Sequence, residues 1–262
     1  MRRRSVAPPL LRVVNGMPDF VAIEALSKRY GETVALDGVS IGFAHGEVHT
    51  VLGENGSGKS TLVKLLSGIV HPDNGRILID GTPFVGHGPA QFGSRGIRTI
   101  FQEVLVAPDR NVIDNVLLGA DSMLTRNIPR SERAARVAAV LDEIATTPVP
   151  LTALAGTLAL AQQQLVVIAR ALARPARMLI LDESTAALDH ADREAVFSAV
   201  EKRAAAGCAV IFISHRMDEV LRLSHRISVL RGGKLVRTLS RSEASAQLLL
   251  ELTAPARRMA EA

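Results

Sequence analysis

Val48-His49-Thr50-Val51-Leu52-Gly53-Glu54-Asn55-Gly56-Ser57-Gly58-Lys59-Ser60-Thr61 is the stretch that decides the fold. It opens with a short apolar run that reads as a strand. A glycine-rich loop follows, and Lys59 to Ser67 continues as a helix whose apolar face is Leu62, Val63, Leu65 and Leu66. Gly53-x4-Gly58-Lys59-Ser60 matches G-x-x-x-x-G-K-[ST] in the strand–loop–helix setting that this motif requires. The glycines let successive backbone N–H groups turn inward as an anion nest, and the helix N-terminus adds positive potential. Lys59 is placed to reach the β- and γ-phosphates of a nucleotide, and the Ser60 hydroxyl to hold Mg²⁺.

Outward from this loop, strands and helices alternate. Val21–Ile23 and the segment around Val39–Phe43 read as half-exposed strands, and Arg76–Asp80 as another. From about Val104 to Arg174 the pattern is helical. Ser131–Ile144 is a helix with Ser131 as the expected N-cap, and Gln162–Ala173 is a helix stopped by Pro175. Met178–Leu181 is an apolar strand ending in Asp182-Glu183. Asp192–Ala206 is a helix closed by Gly207, and Ala209–Ile213 is a strand ending in Ser214-His215. Gly232-Gly233 joins two short strands as a hairpin. In a parallel sheet, ligands collect at the carboxyl ends of strands. Three such ends carry polar residues: Gly53 onward, Asp182-Glu183 and Ser214-His215. In a nucleotide site Asp182 orients Mg²⁺, directly or through water, and Glu183 polarises the attacking water.

Composition narrows the field. The 262 residues are 47% hydrophobic and 22% charged, which excludes disordered, collagen-like and coiled-coil classes. No apolar run approaches the ~20 residues that span a bilayer, so the chain is not itself a channel or permease. The single cysteine, Cys208, reads as a small core residue. The net charge of +5 is mild, and aromatics are only 3%, so the stacking platforms of nucleic-acid binders are scarce. Residues 1–17 read as a disordered extension; Arg2-Arg3-Arg4 mimics a signal peptide, but Pro8, Pro9, Arg12, Asn15 and Gly16 break the apolar stretch.

With these motifs in place, the chain from about Phe20 to Val236 resembles the ATP-binding subunit of ATP-binding-cassette (ABC) transporters. Beside the phosphate loop stand Thr99-Ile100-Phe101-Gln102-Glu103, like the family's Q-loop, and Leu179-Ile180-Leu181-Asp182-Glu183-Ser184-Thr185. Ala187-Leu188-Asp189 is like the D-loop, and Ile213-Ser214-His215-Arg216 is like the switch histidine. Val51–Gly56, Phe101–Glu103, Asp114–Gly119 and Gln162–Leu172 are most similar to monosaccharide importers of the ribose, xylose and galactose type.

The resemblance implies an α/β phosphate-loop cassette: a mixed-sheet nucleotide core, a small antiparallel β lobe and an inserted helical lobe at about 104–174. The cassette is expected over 18–250, with a tail over 251–262. The implied activity is ATP hydrolysis with Mg²⁺, powering solute import through separate permease subunits at the cytoplasmic membrane face. A second cassette is the direct partner, a periplasmic or extracellular solute-binding protein an indirect one, and nucleic acid none. Tyr30 is expected to stack on adenine, with Gly53, Glu54, Asn55, Gly56, Ser57, Gly58, Lys59, Ser60 and Thr61 around the phosphates. Gln102 is expected at Mg²⁺ or the water, His215 at the γ-phosphate, and Asp189 near the water across a dimer interface.

Two departures stand out. The family's Leu-Ser-Gly-Gly-Gln segment, which faces the opposite subunit's ATP, reads here Leu158-Ala159-Leu160-Ala161-Gln162, so the serine hydroxyl is missing at Ala159; Ser184 replaces a proline. Importers of this type also carry two cassettes in one chain, whereas one phosphate loop is present here. A homodimer and a split pair with a different cassette both fit, and a soluble cassette acting on nucleic acid or ribosomes, or a hydrolysis-impaired partner, are the rival readings.

Overall fold

The structure is a computed structural model that describes residues 18–119 and 129–254. The extension read at 1–17 and the tail from 255 onward lie outside the described residues. In chain order the first half runs β1 (Asp19–Tyr30), β2 (Thr33–Ala44), β3 (Val48–Leu52), α1 (Lys59–Leu66), β4 (Asn74–Ile79), β5 (Thr82–Phe84), α2 (Pro89–Ser94) and β6 (Ile97–Ile100). The second half runs α3 (Val112–Leu117), α4 (Arg130–Ile144), α5 (Leu160–Leu172), β7 (Met178–Asp182) and α6 (His190–Ala205). It closes with β8 (Ala209–Ile213), α7 (Met217–Leu223), β9 (Arg226–Arg231), β10 (Lys234–Ser240) and α8 (Ala246–Thr253).

Two sheets form. β2-β1-β4-β5 is antiparallel throughout. The second sheet, in the order β10-β9-β3-β8-β7-β6, is parallel except for β10, which returns from β9 through Gly232-Gly233. Both hairpin glycines have positive φ, +55° and +77°, as a two-residue turn of matching twist demands. Every residue of β3, β7 and β8 is buried, which explains why these strands are continuous apolar runs rather than alternating ones.

The two-residue period of the strands divides the core. Leu179, Leu181, Val210 and Phe212 face the layer of α3, α4, α5 and α6. Met178, Ile180, Ile211 and Ile213 face α1 and the antiparallel sheet. Phe197 of α6 meets Phe212 edge-on at 5.7 Å and 86°. The helical lobe thus shares one core with the parallel sheet. On the sheet's far end, Arg226 of β9 donates to His49 Nδ1 and pairs with Glu47 at 3.2 Å, so His49 Nε2 carries its proton and donates to Ser228 Oγ at 2.8 Å. Burial and the Arg226 charge hold the His49 pKa well below its ordinary value.

The observed elements correct several boundaries. α4 begins at Arg130 with Pro129 at the N-cap, so Ser131 is not the cap but lies inside the first turn. α5 begins at Leu160, two residues before the expected start. α6 begins at His190, because the Asp189 carboxylate accepts from Asp192 N–H at 2.8 Å and fixes the start there. The last described helix, α8, runs to Thr253. Among the described residues no helix is long and apolar enough to cross a membrane.

Candidate functional site

Strand order places the site. β3, β8 and β7 are neighbours, so the three polar strand ends read from the sequence share one edge of the sheet. From the end of β3 the loop turns through Gly53 to Gly58 into α1. Gly58 has φ +106°, and a Cβ there would strike the Ala35 carbonyl and Leu36; a Cβ on Gly53 would strike the Leu230 carbonyl and Ser57 Oγ. Only glycine fits either position. No side chain caps α1, so its first amides point out of the helix unpaired by it.

Lys59 is buried. Its Nζ donates to the Gly53 carbonyl at 2.7 Å and the Glu54 carbonyl at 2.9 Å, folding the ammonium back over the loop. Burial lowers its pKa, and Glu183 and Asp182 oppose that shift. Ser57 Oγ is buried in the loop with no hydrogen-bond partner among the described residues.

Asp182 closes β7 and is buried; burial, then the neighbouring Glu183, push its pKa up to about 6 against the pull of Lys59 and Lys64. Glu183 adopts a left-handed φ of +47°, which for a side chain of this size costs roughly 1–3 kcal/mol. Its N–H is anchored on the Ile213 carbonyl at 3.0 Å. The turn aims the carboxylate at Gln102, whose Nε2 donates to Glu183 Oε2 at 3.3 Å, and at His215, whose Nδ1 lies 3.4 Å from the same oxygen. A cleft of about 760 Å³ is bounded by Gly53, Glu54, Asn55, Gly56, Gly58, Lys59, Ser60 and Thr61, by Gln102, Glu183 and His215, and by Thr33 and Ala35 of β2.

Seven expected residues are absent from that wall: Tyr30, Ser57, Ala159, Ala161, Gln162, Asp182 and Asp189. Tyr30 ends β1 half-exposed, with the Lys28 ammonium 5.7 Å from its ring centroid, and Thr33 and Ala35 line the cleft instead. The sequence reading missed these two. The signal was the Gly31-Glu32 turn, which pairs Tyr30 with Thr33 and folds β2 back toward the loop. Asp189 caps α6. Ala159 is the exposed N-cap of α5, with no side-chain cap, and Ala161 and Gln162 follow in the first turn. A second cleft, of about 380 Å³, opens beside Gln102, lined by its neighbours Phe101 and Glu103 and by Arg98, Arg170 and Arg174.

A glycine-cradled loop at the carboxyl end of a parallel strand, with two carboxylates at the same end of the next strand but one, defines a phosphate-loop α/β cassette. The sequence model of a family described as ABC transporter matches residues 36–186. The chain belongs to the ABC transporter family. It is 39% identical over 230 residues to a ribose import ATP-binding protein, RbsA 1, of Rhizobium johnstonii, covering 88% of this chain and 45% of that protein. It is 40% identical over 238 residues to the RbsA 1 protein of Burkholderia thailandensis, covering 90% and 47%. The chain thus spans about half the length of the curated relatives it matches. A solved nucleotide-free ATP-binding cassette from an ABC transporter superimposes with a TM-score of 0.76 at 27% identity, covering 90% of this chain and 99% of that one.

Proposed function

We propose that this chain is the ATP-hydrolysing cassette of a solute importer, with Lys59, Glu183, His215 and Gln102 as its working side chains. The observation that carries the reading is the meeting of Gln102, Glu183 and His215 on one carboxylate oxygen, in the same cleft as the loop of Lys59. The amides of the loop and of the α1 start bind the β- and γ-phosphates. Lys59 Nζ exchanges the carbonyls of Gly53 and Glu54 for phosphate oxygens, an exchange of charge-assisted bonds with little motion. Ser60 and Asp182 are the donors that suit a Mg²⁺ ion, hydroxyl plus buried carboxylate, and the ion when bound would neutralise charge on the phosphates.

Glu183 accepts a proton from a water that attacks the γ-phosphorus as the bond to the bridging oxygen breaks. ADP leaves, and the proton passes to the released phosphate. Gln102 and His215 hold the Glu183 carboxylate from two sides, and His215, mostly exposed, is free to turn to the γ-phosphate. A positioned base contributes about 10²–10⁴-fold and a positioned donor to the developing charge about 10²–10³-fold.

Ala159, Ala161 and Gln162 do not line the cleft of their own chain, and the α5 edge that carries them is proposed to close the cleft of a second cassette. Asp189, at the start of α6, belongs to the same inter-cassette surface. Tyr30 offers a half-exposed ring for adenine. The cleft beside Gln102 is proposed to receive a segment of a permease at the cytoplasmic membrane face. The names of the relatives, ribose import proteins, support a monosaccharide as solute, delivered by a separate solute-binding protein. The Ala159 signature favours a second reading, in which the chain pairs with a different cassette and slows the ATP that it faces.

The deciding experiment is a tagged pull-down from native membranes with ATPase assay of what is recovered. Recovery of a multi-span permease with ATPase activity that Lys59→Ala abolishes supports the proposal. Recovery of ribosomes or nucleic acid from the soluble fraction overturns it.

A further inference from the structure

Behind the site lies a buried carboxylate that none of the motifs includes. Glu219 sits in the first turn of α7, and its side chain is 1% exposed. Its Oε2 accepts the Ser214 hydroxyl at 2.6 Å and the Thr185 hydroxyl at 3.2 Å. Its Oε1 faces Arg216 Nε at 3.4 Å and Arg193 Nε at 3.7 Å. These four partners come from three loops or their margins. Ser214 and Arg216 flank His215, Thr185 lies two residues after Glu183, and Arg193 reaches back to His190 Nδ1 at 3.2 Å, beside Asp189.

The ties constrain backbone, not the tips. Only Ser214, His215 and Arg216 separate β8 from α7. Ser214 Oγ donates to Glu219 and accepts from Arg216 N–H at 3.1 Å, so the chain is pinned on both sides of His215 while the imidazole itself stays 63% exposed. On the other side, Thr185 is held by the same carboxylate just beyond the left-handed turn at Glu183. A buried charge with this many partners gains little stability over an apolar side chain of equal volume. Its distinguishing property is that it fixes directions.

We propose that Glu219 is a positioning residue, setting the placement of Glu183 against His215 by holding their loops on one carboxylate. The inference rests on the reading of Glu183 and His215 as the working pair. Three substitutions in the assembled transporter test it: Glu219→Gln, Ser214→Ala and Thr185→Val, each alone and with His215→Ala. Turnover, KM for ATP, binding of a fluorescent ATP analogue and Tm are read for each. Glu219→Gln is expected to lower kcat about 10-fold, the loss of a hydrogen bond to a charged group, with KM within about twofold. In the His215→Ala background the same change is expected to cost clearly less, because one of the two groups whose relation it sets is gone. Ser214→Ala and Thr185→Val remove one donor each and leave the charge in place; they are expected to show the same pattern at smaller amplitude, and they carry the test if Glu219→Gln does not fold. Parent-like kcat in Ser214→Ala and Thr185→Val, or an undiminished loss on the His215→Ala background, overturns the inference. Full turnover in His215→Ala and Glu183→Gln overturns the site reading and this inference with it.

Discussion

His215 Nδ1 lies 3.4 Å from Glu183 Oε2, the oxygen that also accepts from Gln102 at 3.3 Å. A glutamine at 183 can keep the shape of this cluster but cannot take a proton from water. Glu183→Gln is therefore expected to lower turnover by about 10²–10⁴-fold while ATP still binds. The variant is expected to accumulate as an ATP-held dimer of cassettes. Phosphate release measured beside gel filtration in ATP checks both, and parent-like turnover would remove Glu183 from the role of base.

Lys59 gives a different signature. Its ammonium has two acceptors inside the loop, the Gly53 and Glu54 carbonyls. Lys59→Ala removes the cation that meets the phosphates, and nucleotide affinity is expected to fall about 10–100-fold. Circular dichroism is expected to be unchanged. Titration with a fluorescent ATP analogue measures the loss, and retained affinity would contradict the placement.

What the sequence made legible follows from what local chemistry dictates. Gly53 and Gly58 stand where a Cβ has no room, so the loop is written in the residues themselves. Asp182 and Glu183 close an apolar strand, and the strand order then needs only neighbouring ends to assemble the site. Thr33 and Ala35 were not legible, because their place on the cleft depends on the β1–β2 register and on how the antiparallel sheet packs over Gly58. Glu219 reads as an ordinary polar residue in Met217-Asp218-Glu219-Val220; its burial arises only where three loops converge. Ser131 looked like a cap by residue type, yet the chain already turns helical at Arg130. α7 and α8, seven and eight residues long, are too short to announce themselves by periodicity.

Asp182 makes the site pH-sensitive. Its folded pKa of about 6 stands above the ordinary 3.8, so the folded chain holds a proton that the unfolded chain has released. Between those values stability falls as pH rises, and above the folded pKa the ionised carboxylate costs roughly 3 kcal/mol. Asp182→Asn is expected to raise the Tm of the nucleotide-free protein at pH 7.5 and by about half as much at pH 5. The same variant is expected to weaken Mg²⁺-dependent nucleotide binding, which in the parent falls away below about pH 6. Thermal melts at the two pH values, with and without Mg²⁺ and nucleotide, measure both effects; an equal change in Tm at both pH values would contradict the assignment.

Ala159 is the departure that can be reversed. It is the N-cap of α5, exposed, and contributes no capping bond. In Ala159→Ser the new oxygen has two uses. As an acceptor it can cap a first-turn amide, which stabilises a helix by about 0.5–2 kcal/mol. As a donor it can give its hydrogen to a γ-phosphate on the facing cassette, and the two are compatible because they use different atoms of the hydroxyl. Tm is expected to rise, and ATP turnover of the assembled pair to rise about 10-fold, the worth of one hydrogen bond to a charged group. In a pair of identical chains both ATP sites gain; in a mixed pair only the site on the other cassette does, so single-turnover amplitudes tell the two assemblies apart. A higher Tm with unchanged turnover would mean that the hydroxyl serves the helix alone, and that the phosphate facing α5 is held by the amides of Leu160, Ala161 and Gln162.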